Sequence, residues 1–334
     1  MGNDDSQVIQ DASIELYSGW ATTHSGGFLY GRVFRGQSLD PPREADGWIE
    51  KLGQTVKALD EKSLDAAHVR LSGYPGSGFF TADECGYLKA DLPSGMEQGP
   101  VSIQVQLEMN GWRSRPVQTT IQVWKLTSPP LGVISDIDDT LTPTDVTDKI
   151  KLIRNTLFHN TYDVKVFDGA AKALAAVVGK GEESRPMLPL FYLSGSPWAL
   201  HNRIADAFER LGLPHGVTIL RRYSQEPFDP FHFKHPHLLE IVDANPGFRW
   251  MLCGDSGEKD PEVYHTLMEE RPGAVEIVFI HNLKDKPLSS ERFSKFNLFT
   301  PENFVLFDSW TEVSEAIQRR KLGLWDQKAA MVQD

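Results

Sequence analysis

Between residues 12 and 127 short runs with apolar positions at every second residue alternate with turn residues. Residues 101–108 read V-S-I-Q-V-Q-L-E, Asn110-Gly111 follows, and residues 119–126 alternate again. Alternation of period two buries one face of a strand, and Asn-Gly supplies the left-handed turn that joins two such strands, so this stretch predicts a hairpin. Residues 28–34 and 68–74 read as further strands, the second running into the turn residues Pro75-Gly76-Ser77-Gly78. Residues 54–67 read as helix or loop. The expectation for residues 12–127 is a β-sandwich-like domain with an inserted irregular stretch.

The texture changes near Thr127-Ser128-Pro129-Pro130. Short apolar runs at residues 131–134, 188–193, 248–253, 275–280 and 304–307 then alternate with helical patterns at 170–178, 198–211, 236–242, 261–270 and 310–321. Short apolar strands separated by helices imply a parallel sheet covered by helices. Residues 128–334 are therefore expected to form a doubly wound, mostly parallel α/β domain. Ligands in such sheets bind beyond the carboxyl ends of the strands. Three of the runs end in polar turns, and those turns should converge.

Bulk properties narrow the function classes. The chain has 334 residues, 40% hydrophobic and 24% charged, with a net charge of −12. No long Lys/Arg run is present, which argues against a nucleic-acid partner. The acidic balance also disfavours unassisted adsorption to anionic lipid. No stretch approaches the roughly 20 apolar residues of a membrane-spanning helix. The two cysteines, Cys85 and Cys253, lack metal-ligand spacing and read as reduced thiols, which fits a cytoplasmic address. The opening Met1-Gly2-Asn3-Asp4-Asp5-Ser6 fits the loose myristoylation pattern, but no polybasic segment follows, and an acidic tail is the reading taken.

The three turns carry the chemistry. Asp136, Asp138 and Asp139 crowd into four positions after the first run. Like charges held close raise each other's pKa unless a cation compensates, and magnesium is the usual hard cation beside phosphate. The plain alternative is a solvated acidic loop. After the second run, Ser194 and Gly195 leave the strand and Pro197 opens a helix with Ser196 as N-cap, so backbone N–H groups and the Ser194 hydroxyl could receive phosphate oxygens. After the third, Gly254-Asp255-Ser256-Gly257-Glu258-Lys259-Asp260-Pro261 adds Asp255 and Asp260, the latter an N-cap candidate. Lys234 lies just before a helical pattern, where it could neutralise a nucleophile and a phosphoryl group or be a surface lysine. His159, His232, His235 and His237 are too irregularly spaced for a zinc site.

In this order, D-x-D-x-T, Ser, Lys and G-D-S-x-x-x-D resemble the four motifs of the haloacid-dehalogenase-like phosphatases. The strings SDIDDT, FYLSGSPW and CGDSGEKDPEVY narrow the resemblance to the catalytic domain of the actin-patch-protein type of phosphatidate phosphatase, over about residues 130–310. The resemblance implies a haloacid-dehalogenase-like, Rossmann-like fold with a small cap. It also implies magnesium-dependent hydrolysis of a phosphomonoester, most directly phosphatidate to diacylglycerol, through an aspartyl-phosphate. Asp136 would be the nucleophile and Asp138 the general acid and base. Asp136, Asp138, Asp255 and Asp260 would serve the metal, Ser194, Gly195 and Lys234 the phosphate, and Thr140 would orient the loop. Lys259 competes with Lys234 for the phosphate role.

The cap would be residues 143–168, with a short helix at 146–158. Its small size would leave the site open to a lipid. Leu157-Phe158 and the aromatic run at 228–233 are candidates for peripheral membrane contact, and Arg154, Arg221 and Arg222 for anionic groups. A phosphatase or phosphotransferase acting on a soluble phosphoester is a second reading. A third is a β-sandwich binding protein with a vestigial catalytic domain. The protein partner, if any, is unidentified.

Overall fold

The computed structural model describes residues 12–35, 68–74, 76–109, 112–126, 130–142, 165–179, 187–222, 225–227 and 229–323. The chain divides into two compact units between Lys125 and Leu126.

The first unit is built from β1 (Ala12–Thr22), β2 (Gly26–Arg35), β3 (His68–Tyr74), β4 (Gly76–Thr81), β5 (Tyr87–Leu92), β6 (Gly99–Met109), β7 (Trp112–Arg113) and β8 (Val117–Trp124). They form one continuous sheet in the order β4-β3-β6-β8-β1-β2-β5, with β7 paired to β6. Its pairs are antiparallel except β1–β8, where Trp20, Ala21 and Thr22 run parallel to Gln122, Val123 and Trp124. The edge strands β4 and β5 approach one another, so the sheet curls almost into a barrel. Alternate residues Ile103, Val105 and Leu107 on β6, and Ile121 and Val123 on β8, join Leu29, Val33, Val69 and Leu88 in its core.

The expected β-sandwich is corrected by this topology. A sandwich needs two separate sheets facing each other, whereas these strands lie on one hydrogen-bonded path. Period-two burial is common to both arrangements, and the β1–β8 pairing that joins the ends has no local signature. Pro75-Gly76-Ser77-Gly78 also misled: Gly76–Thr81 is a strand paired with β3. The expected helix or loop at 54–67 lies outside the described residues.

The second unit contains β9 (Leu131–Asp136), α1 (Ala170–Val178), β10 (Leu190–Pro197), a 3-10 turn (Trp198–Leu200), α2 (His201–Arg210), β11 (Val217–Arg221), α3 (Pro230–Ala244), β12 (Arg249–Asp255), α4 (Asp260–Glu270), β13 (Val275–His281), α5 (Ser290–Phe293), β14 (Phe304–Phe307) and α6 (Trp310–Arg320). Six strands make an entirely parallel sheet, ordered β11-β10-β9-β12-β13-β14. β9 is buried along all six residues. Its neighbours are β10 and β12, and the register sets Asp136 beside Leu193 and Ser135 beside Cys253. The carboxyl ends of β9, β10 and β12 therefore lie together.

The whole-chain expectation of a doubly wound, haloacid-dehalogenase-like and Rossmann-like α/β fold is corrected too. A curled mixed sheet of eight strands and a parallel sheet of six carry the chain, and of the expected architecture the parallel sheet is what stands. Strand–helix alternation in a sequence requires parallel strands but does not fix which face each helix covers. The expected cap at 143–168 falls mostly outside the described residues, as do the N-terminal tail, Arg154, His159, Leu157-Phe158 and Phe228.

Candidate active site

Asp136 is the last residue of β9, and the chain turns sharply beyond it. Leu141 N–H and Thr142 N–H donate to Ile137 O, Asp139 N–H donates to Thr142 O, and Asp139 takes a left-handed φ of 55°. The Thr140 hydroxyl donates to Asp136 Oδ2 at 3.2 Å. Two distant residues pin the turn from outside: Trp310 Nε1 donates to Thr140 O at 3.0 Å, and His281 Nδ1 donates to Asp139 O at 2.7 Å. Such bonds hold the carboxylates where the sheet ends rather than leaving them to solvent.

β10 delivers Ser194. Its hydroxyl donates to Asp138 Oδ2 at 2.9 Å and accepts from Ser196 N–H at 3.0 Å. Ser196 is not an N-cap: β10 runs on to Pro197, and a 3-10 turn precedes α2. Gly195 is exposed, and an added Cβ would meet nothing within 4 Å. Its carbonyl accepts from Arg221 Nε at 3.1 Å.

β12 delivers Asp255. Its Oδ1 accepts from Gly257 N–H at 2.6 Å and Glu258 N–H at 3.0 Å, folding the chain back into an Asx turn. Asp260 Oδ2 accepts from Asp255 N–H at 3.1 Å. A Cβ on Gly254 would lie 2.6 Å from that oxygen, which is why glycine is required there. Asp260 is the first residue of α4, not its N-cap; Lys259 holds that position and is exposed.

Lys234 joins the turns. It lies inside α3, not before it, because the helix begins at Pro230 with Asp229 as N-cap. Pro236, which reads as a first-turn residue, is interior. The Lys234 side chain is 2% exposed, and Nζ sits 2.6 Å from Asp260 Oδ1, 2.7 Å from Asp136 Oδ1 and 3.2 Å from Glu258 Oε2.

Burial opposes the Lys234 charge, but Asp136, Asp260 and Glu258 outweigh it and keep the ammonium protonated far above the usual range. Burial raises Asp136 most, with Lys234 opposing and the neighbouring carboxylates adding to it. Asp255 and Asp260 are raised likewise, burial first. Asp138 is pushed up to about 7 by burial and then Glu258, against the Ser194 hydrogen bond. One ammonium thus faces four carboxylates: Asp136, Asp255, Glu258 and Asp260. Asp138 Oδ1 and Asp255 Oδ2 are buried with no hydrogen-bond partner among the described residues. Asp136, Glu258 and Asp260 offer oxygens within 4.8 Å of one another, close enough to hold a metal ion. Surplus negative charge and orphaned oxygens both suit a cation.

Residues 131–282 match the family model of the phosphatidate phosphatase APP1 catalytic domain. Over that stretch the chain is similar to this family. Phosphatidate phosphatase APP1 of Saccharomyces cerevisiae is 26% identical over 235 residues, covering 66% of this chain and 38% of the yeast protein. The chain thus spans well under half of that relative. Solved structures give weaker likenesses. A carbohydrate acetylesterase from Xanthomonas citri is 13% identical, covering 91% of this chain and 73% of its own, at a TM-score of 0.37. Chitinase ChiW from a Paenibacillus species is 10% identical, covering 81% and 26%, at a TM-score of 0.21. Scores this low carry no functional argument.

The acidic residues, Ser194 and Lys234 all fall inside the matched segment, and Trp310 lies beyond it. Asp136, Asp138, Thr140, Ser194, Lys234, Asp255 and Asp260 are brought together; Lys259 is not. Glu258 is the member sequence reasoning missed, and its signal was the D-S-G-E spacing of an Asx turn. The histidines disperse: His232 pairs with Asp229, His235 with Glu270 and His237 with Glu226. Arg222 pairs with Glu226. Phe233 is buried in the core. No helix among the described residues is long and apolar enough to cross a membrane.

Proposed function

We propose that this chain is a phosphoric monoester hydrolase of the phosphatidate phosphatase type, with Asp136 as nucleophile. The observation that carries the reading is the pair of carboxylates two residues apart in different settings. Asp136 ends β9 against the Lys234 ammonium and the Thr140 hydroxyl, which oppose the burial that raises its pKa. Asp138 is pushed up to about 7, where it can both give and take a proton.

Asp136 attacks phosphorus and the ester P–O bond breaks, leaving an aspartyl-phosphate. Asp138 protonates the departing alkoxide. It then takes a proton from the water that attacks phosphorus, which frees inorganic phosphate and restores Asp136. Lys234, held in place by Asp260 and Glu258, offers charge to the phosphoryl oxygens. The Ser194 hydroxyl and the open backbone at Gly195 flank the same space. A divalent cation, magnesium beside phosphate, would be held by Asp136, Asp255, Glu258 and Asp260 with the Asp138 backbone carbonyl, and would offset the charge of these groups and of the phosphoryl.

Phosphatidate is the substrate that the relative's name supports, with diacylglycerol as product. The two free thiols, one in each unit, fit a reducing cytoplasm. The test is phosphate release from phosphatidate in mixed micelles and from a panel of soluble phosphoesters, with magnesium or EDTA. Magnesium-dependent release, highest from phosphatidate, is expected. Turnover of soluble esters alone would remove the lipid assignment, and release from none would remove the phosphatase assignment.

A further inference from the structure

Arg292 lies beyond the matched segment and outside every motif discussed above. It belongs to α5, a four-residue helix with no fully buried side chain, in which Phe293 packs on Phe304 with ring centroids 5.2 Å apart. Its guanidinium reaches back to the third turn. Nη1 donates to Ser256 O and Nη2 to Glu258 O, while Nε and Nη2 grip the two oxygens of Glu262 at 2.8 and 2.6 Å. Glu262 lies in the first turn of α4, two residues after Asp260. One planar fork therefore ties the carbonyls of the Asx turn to the helix that starts with Asp260.

The tie has a specific consequence at Glu258. Ser256 is also anchored by its hydroxyl, which donates to Lys286 O at 2.7 Å and accepts from Leu283 N–H at 2.9 Å. Glu258 has no such hydroxyl, and its carboxylate must point at Lys234 across 3.2 Å. Fixing the Glu258 carbonyl fixes where that carboxylate aims. A lysine at 292 would keep the charge but place its donors at one point, unable to span two carbonyls and a carboxylate.

We propose that Arg292 is a positioning residue for the reaction, holding Glu258 and the Asp255–Asp260 turn against Lys234 and Asp136. It rests on the proposed phosphatase function for its kinetic effect, though not for its structural one.

The test compares wild-type protein with Arg292→Lys and Arg292→Ala. Arg292→Lys is expected to lower kcat on a soluble phosphoester by roughly 10–100-fold, the scale of small misplacements in a site, with KM moved far less. Its melting midpoint should stay near wild type. Millimolar guanidinium should restore part of the turnover of Arg292→Ala and none of that of Arg292→Lys. Amide hydrogen exchange should quicken in residues 256–262 and stay unchanged in β9 and β10. Wild-type kcat together with wild-type exchange in Arg292→Lys would overturn the proposal. So would faster exchange spread over the whole second unit, which would mark a purely structural role. If the wild-type protein releases phosphate from no ester, the functional reading fails, and the exchange comparison alone decides whether Arg292 holds the turn.

Discussion

Asp136 and Asp138 are one residue type, two positions apart, with different partners. That difference could not be read from spacing, which shows only that carboxylates crowd after a strand. What the sequence carried was the set: Asp136, Ser194 and Asp255 stand where apolar runs stop, and Asp138 and Asp260 follow in the turns beyond. Glu258 was hidden because a glutamate before a helix reads as a solvated first-turn residue; only the Asx turn at Asp255 aims it inward. Lys234 was legible as a candidate but not distinguishable from Lys259, since burial decides between them and no local pattern encodes it. The Asp138 assignment makes a kinetic prediction. An alkoxide leaving from phosphorus needs a proton and a nitrophenolate scarcely does, so Asp138→Asn should lose roughly 10²–10⁴-fold on an alkyl phosphate and much less on nitrophenyl phosphate. The ratio of the two activities, measured in both proteins, checks it; equal losses would mean that Asp138 serves only to hold the loop.

Element ends were the least legible part of the second unit. Both prolines of α3 invite a helix start, and the true start was decided by Asp229, whose side chain accepts from His232 N–H. At the other turn, Pro197 suggested a helix that the extended backbone at Ser196 postpones to His201. His201 then enters α2 buried, its ring stacked on Trp198 at 5.7 Å. Burial holds its pKa down at about 4, with the Asn202 contact opposing. An unfolded histidine titrates near 6.5, so between these values the unfolded chain binds the extra proton. Stability from this group is fully present above about pH 6.5 and is lost as pH falls toward 4, by about 3 kcal/mol at most. Denaturant unfolding at pH 7 and pH 5 should show a larger drop in wild-type protein than in His201→Gln. Identical drops would remove His201 as the source.

At the scale of the molecule, strand–helix alternation after Pro130 was enough to foresee a parallel sheet, because parallel neighbours require a crossover. The first unit shows where local pattern fails. Ile103, Val105 and Leu107 would alternate inward in a sandwich or in a curled sheet, and the choice between them is made by β1 meeting β8 across about a hundred residues. Every proposed catalytic residue lies after Leu126, so residues 126–334 expressed alone should keep soluble-ester turnover within roughly threefold of the full chain, as expected of a unit with its own core. A far larger loss in a folded fragment would show that the curled sheet takes part in the chemistry.

The central claim is that Asp136 carries the phosphoryl group. It is tested most directly by phosphate release from phosphatidate with magnesium, in wild-type protein and in Asp136→Asn. The substitution removes the nucleophilic charge at nearly constant volume and relieves repulsion with Asp255, Glu258 and Asp260, so its melting midpoint should equal or exceed wild type. The expected result is release by the wild-type protein and a loss of roughly 10³-fold or more in the folded variant. Substantial phosphate release by folded Asp136→Asn would contradict the account.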